Sequence, residues 1–142
     1  HVASPHPTGA RTERRRRMSR PAWLPVTPLP PAGDNPADAV GFYTVQLGFV
    51  VTWQGGDMAG VRRDQVQFNL VKNSNREWAE NASASIGVAD LEALYEEYRT
   101  IDAKVGALEM KSWGRREFHM ILSSGVCLQF YEATRAEPDY AI

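Results

Sequence analysis

Two helix-start signals 55 residues apart constrain this chain most. Asn35-Pro36 places an N-cap side chain before a proline at the first helical position. Asp90-Leu91 does the same job with an acidic cap and an apolar first turn. Each start is followed by a helical stripe and then by three strand-like runs. The first stripe is Ala39, Val40, Phe42, Tyr43 and Leu47, ended by Gly48; the second is Leu91, Leu94, Tyr95, Tyr98 and Ile101. The strands expected after the first helix are Phe49 to Trp53, Met58 to Arg63 and Val66 to Leu70. After the second they are 105–111, Arg116 to Leu122 and Val126 to Tyr131. Ser83 to Val88 alternates ahead of the second helix, with Ala84, Ile86 and Val88 on one face. Residues 72–82 are polar and read as a loop. The sequence therefore predicts an α+β fold of two βαβββ modules, about 21–72 and 83–132, within one domain spanning 21–134.

Residues 22–31 carry four prolines. Proline lacks the N–H that a central ladder needs, so this stretch is expected as an extended edge or as an arm laid against a partner. Residues 1–20 have no apolar periodicity and are expected as a disordered basic extension or an upstream residue of translation; 135–142 are expected as a tail.

The net charge of −1 hides an asymmetry: residues 1–17 carry +4 and residues 18–142 carry −5. An acidic folded part argues against nucleic acid as a partner. No run of 18 apolar residues is present, so no membrane partner is expected. The one cysteine, Cys127, excludes an internal disulfide framework and a Cys-rich metal site, and points to a cytoplasmic protein. Cys127 itself reads as a small inert strand residue. His119 lies between Phe118 and Met120, so it faces away from them with Glu117. It reads as a polar wall residue or a hydrogen-bonded histidine rather than as a general base.

The ordered set Phe42-Tyr43, Leu47-Gly48-Phe49, Asp57-Met58-Ala59-Gly60-Val61-Arg62-Arg63, Val88-Ala89-Asp90-Leu91-Glu92-Ala93-Leu94-Tyr95-Glu96-Glu97 and Trp113-Gly114-Arg115-Arg116-Glu117-Phe118 resembles the bleomycin resistance proteins. These belong to the glyoxalase/bleomycin resistance/dioxygenase (vicinal oxygen chelate) superfamily, and the resemblance covers about residues 22–132. It implies paired cupped mixed sheets and an N-terminal-arm-exchanged homodimer with drug clefts between subunits. Metal-dependent members place ligands where this chain has Ser83 and Gln129, and residues 24–30 offer no ligand at all. Three protein ligands are needed at an open catalytic ion, so neither a metal nor any other cofactor is expected, and no catalytic residue is assigned.

The resemblance also implies that flat ligands stack on aromatic faces. Trp53, Met58 and Trp113 are the expected stacking contacts; Gln67, Asn69, Ser83, Ser85, His119 and Gln129 are the expected polar contacts. The function expected is non-catalytic sequestration of a flat cationic small molecule, a bleomycin-type antibiotic, by a homodimer whose negative charge attracts it. The alternatives are a metal-dependent glyoxalase- or dioxygenase-type enzyme with a degenerate site, and a carrier or sensor of an unrelated ligand.

Overall fold

Asn35 does cap the first helix: its side chain accepts from the Ala37 N–H at 3.0 Å, with Pro36 in the first turn. In this computed structural model, which describes residues 20–133, α1 covers Pro36–Gly41 and widens into a π-helical turn at Phe42–Gln46. There the Thr44 hydroxyl donates to the Val40 carbonyl at 2.8 Å, competing with the ordinary helical bond. Gly48 ends the turn with φ +82°, as its type requires. The expected extension, apart from Arg20, and the expected tail lie outside the described residues.

Three antiparallel strands follow, β1 (Val50–Gly55), β2 (Met58–Arg63) and β3 (Val66–Val71), in the order β1-β2-β3. Alternation buries Val61, Phe68 and Leu70 against α1 and the π turn. Phe49 and Phe68 stack at 6.0 Å between centroids while Tyr43 meets Phe49 edge-on at 5.3 Å. The proline-rich stretch runs parallel to β3: the Asn69 and Val71 amides donate to the Pro28 and Pro30 carbonyls, and Ala32 N–H donates to Val71 O. It occupies the first-strand position of the first module.

The expected loop 72–82 is not all loop. A short helix, α2 (Arg76–Glu80), forms because Asn75 caps it, accepting from the Trp78 N–H at 2.9 Å. Only Ala79 of this helix is buried, so no apolar stripe marked it in the sequence. Arg76 ties it to the Ser123 carbonyl at 2.7 Å.

The second module is β4 (Ser83–Val88), α3 (Leu91–Tyr98), β5 (Lys104–Val105), β6 (Glu109–Met110), β7 (Arg116–Ile121) and β8 (Cys127–Glu132). Asp90 caps α3 through the Ala93 N–H at 3.1 Å. The strand expected over 105–111 is two short pieces, β5 and β6, which both pair with β7. Sheet order is β4-β8-β7-β5, with β4 parallel to β8. The proline-rich stretch beside β3 and β4 beside β8 are therefore the same arrangement, and the two-module reading holds. Phe118 and Phe130 stack at 5.0 Å beneath Tyr95 and Tyr98 of α3.

One polar cluster fastens the modules together. Arg63 at the end of β2 donates to Leu47 O at 2.8 Å, to both Glu97 oxygens at 2.8 and 3.1 Å, and to the Tyr98 hydroxyl at 2.9 Å. Tyr98 in turn donates to Leu47 O at 2.6 Å. Burial, opposed by the guanidinium, pushes the Tyr98 phenol up to about 12. The bond to Glu97 raises Arg63 further above its ordinary value. Next to this cluster a cavity of about 460 Å³ lies between the β2–β3 turn and the α3 side of the second module. It is floored by Phe49, Val66, Ile86 and Phe130.

Candidate functional site

Period-two alternation sends the residues not used in the cores to the opposite face of each sheet. On the first sheet the cross-strand row Trp53, Gly60, Asn69 lies next to the row Gly55, Met58, Val71, and Gln67 pairs with Arg62 in the row beyond. The register shifts between Val51 and Trp53, a bulge that re-aims Trp53. Its indole N–H donates to Asn69 Oδ1 at 3.2 Å. The indole lies directly on Gly60: a Cβ there would overlap Trp53 Nε1 and Cδ1. Glycine is thus the residue that lets the ring lie flat on the strand, 39% exposed. The first sheet brings Trp53, Met58, Gln67 and Asn69 together on one face, as expected.

On the second sheet, Ser85, Gln129 and His119 form one row across β4, β8 and β7. Ser83 and Cys127 lie in the row on one side, and Gly87, Tyr131 and Glu117 in the row on the other. Trp113 sits near the tip of the β6–β7 hairpin, beside Gly114 at φ +88°. This second group is built around Glu117, whose side chain is 1% exposed. Glu117 Oε2 accepts from Trp113 Nε1 and from Arg115 Nε, each at 2.8 Å, while Oε1 lies 2.8 Å from His119 Nε2. Burial pushes this carboxyl up, but the bonds from His119, Trp113 and Arg115 outweigh it and hold it at about 2. Arg115 also lies over the Tyr131 ring, 3.8 Å from its centroid, and reaches to 3.5 Å from the Ser85 hydroxyl. Tyr131 rests on Gly87, whose missing side chain leaves room for the phenol.

Glu117, Arg115 and Tyr131 were not among the sequence-predicted contacts. Alternation alone signals two of them, since Glu117 is two residues from His119 and Tyr131 two from Gln129. Arg115 lies outside the strand and carries no periodic signal. Cys127 is half-buried rather than fully buried, and burial, opposed by Gln129, raises its thiol above the ordinary range.

Among the described residues no hydrogen bond or aromatic contact joins the Trp53 group to the Trp113 group. Trp53 belongs to a cluster on the first sheet and Trp113 to a separate one on the second. Arg115 pairs with Glu117 on the second face, and Arg62 is exposed beside Gln67 on the first.

A catalytic divalent ion does not fit these donors. Ser83 and Gln129 are neutral, the one imidazole of the face is bonded to Glu117, and both Glu117 oxygens are taken by nitrogen donors. No helix of the described residues is long and apolar enough to cross a membrane.

No protein-family model matches the chain, and no curated protein matches it. Solved structures do. The bleomycin-binding protein of bleomycin-producing Streptomyces verticillus, complexed with copper(II)-bleomycin, is 25% identical. Its match covers 79% of this chain and 99% of that one at a TM-score of 0.65. The bleomycin resistance determinant encoded on transposon Tn5 is 17% identical over 78% of this chain and 98% of its own, with a TM-score of 0.68. A glyoxalase/bleomycin resistance protein/dioxygenase from Nocardioides is 15% identical, covering 92% and 98% of the two chains at 0.59.

Proposed function

From this fold, which is that of the bleomycin-binding proteins and the glyoxalase/bleomycin resistance/dioxygenase superfamily, we propose that the chain is a non-catalytic binding protein. Its ligand is a flat, cationic small molecule of the bleomycin type, and it acts by stoichiometric capture. The observation that supports this most is the pair of outward-facing aromatic shelves, Trp53 laid on Gly60 and Trp113 pinned by Glu117. Each is held by an indole N–H bond that leaves a ring face open, and stacking on such a face contributes about 1 kcal/mol or more per ring.

The two shelves lie on different sheets, and no hydrogen bond or aromatic contact among the described residues joins them, which supports a cleft shared between two chains. We place the first-sheet face of one protomer opposite the second-sheet face of its partner, in a homodimer with two equivalent clefts. Trp23, Leu24 and Val26 fit this arrangement. They are 95%, 81% and 85% exposed on the arm that precedes the β3-paired stretch, where a second copy would cover them.

Titration of the full chain with metal-free bleomycin, followed by calorimetry and tryptophan fluorescence, tests the reading. Saturable heat with one ligand per subunit and a fluorescence change is expected. Absence of both would leave a carrier or sensor of another ligand as the better account.

A further inference from the structure

Resting on that reading, we infer that the second-sheet face carries a built hydrogen-bond acceptor, His119 Nδ1. It selects ligands that present an N–H donor at the edge of a planar ring.

The argument begins with Glu117. Its Oε2 is engaged by Trp113 Nε1 and Arg115 Nε, which only donate. The guanidinium is charged at all ordinary pH and lies 2.8 Å away, so the carboxyl is an anion and accepts through Oε1 as well. His119 Nε2, 2.8 Å from that oxygen, must therefore bear the proton. In a neutral imidazole this leaves Nδ1 without one, as a lone-pair acceptor. No protein donor meets Nδ1 among the described residues, and the His119 side chain is 27% exposed on the face shared with Ser85 and Gln129.

The surroundings specify the rest of the ligand. The guanidinium of Arg115 is stacked on Tyr131, and its side chain is 43% exposed. Its outer plane can receive a flat ring, as the open indole of Trp113 can. A ligand seated there with an edge N–H toward His119 satisfies the acceptor; one with a methyl at that edge leaves it desolvated and unpaired. A carboxylate buried this deeply is costly in free energy unless it is bonded. Here its bonds orient an indole, a guanidinium and an imidazole at once, all on the ligand-facing side.

The test uses 15N-labelled full chain at mildly alkaline pH, with the His119 signals identified by their loss in His119→Asn. Long-range proton–nitrogen correlation should show Nε2 protonated and Nδ1 bare. Benzamide should move the Nδ1 signal saturably. N,N-dimethylbenzamide, which keeps the ring and carbonyl but has no N–H, should bind roughly tenfold more weakly and leave the signal in place. In Glu117→Gln the amide can donate as well as accept, so the tautomers should mix. A protonated Nδ1 in the free protein, equal effects of the two amides, or no effect of either would overturn the inference; an unchanged tautomer in Glu117→Gln would take the orienting role from Glu117. Bleomycin calorimetry on the same sample separates the two readings. Heat without movement at His119 overturns the inference and leaves drug binding standing. Movement with benzamide but no bleomycin heat does the reverse.

Discussion

Glu117 and His119, two residues apart on β7, place their side chains on the same face and meet at 2.8 Å, with Glu117 wholly buried and His119 partly exposed. Alternation along the strand makes this pairing possible, and Trp113 and Arg115 make the buried charge tolerable. The carboxyl is held at about 2, below its ordinary 4.5. A depressed folded value means the stabilisation is complete above the ordinary value and is lost as pH falls through about 2. Glu117→Gln should thus destabilise the protein at neutral pH by on the order of 2 kcal/mol, discounted for the exposed side of Arg115. The difference from wild type should shrink as pH drops from 4.5 toward 2. Urea denaturation at several pH values measures it.

Gly60→Ala forces Trp53 off the strand, because the new Cβ meets the indole and Thr52 Oγ1. The displaced ring is partly exposed and has somewhere to go, so stability should change by less than about 1 kcal/mol. Its bond to Asn69 and its open stacking face should be lost. The expected result is altered tryptophan emission and bleomycin binding weaker by roughly tenfold, corresponding to the loss of one stacked ring.

Arg63→Met leaves Leu47 O with Tyr98 as its remaining donor and frees Glu97 to solvent. A loss of about 1–2 kcal/mol is expected. Tyr98→Phe removes the other donor and should show a similar loss. The double substitution should cost more than the two losses added, since Leu47 O then has neither partner. Thermal or chemical denaturation of the three variants checks this.

Replacing Trp23, Leu24 and Val26 together by serine removes the apolar arm surface without touching the Pro28–Ala32 pairing. On the proposed dimer, wild type should have the mass of two chains by light scattering and the variant the mass of one. Far-ultraviolet circular dichroism should be unchanged.

The repeat was legible because it rests on local chemistry. Asn35 and Asp90 cap the helices that their types announce, and Val66-Gln67-Phe68-Asn69-Leu70 alternates as a half-buried strand must. Contacts that sum over distant segments were less visible. The helix Arg76–Glu80 has no apolar face to show, only a cap and an arginine that reaches Ser123. Which residues share each site face could be read from period two, and Trp53, Met58, Gln67 and Asn69 do fall together. That Arg115 joins the other face depends on hairpin geometry that no window of sequence contains.

The seam between the proline-rich stretch and β3 is a ladder with rungs removed. Pro28 and Pro30 accept from Asn69 and Val71 but have no proton to return, so only Ala32 donates. Of the three N–H groups that an ordinary strand would present at positions 28, 30 and 32, this stretch has one to strand on detachment. The composition at 28–30 therefore holds the module's first strand by fewer main-chain bonds than a full parallel pair would make.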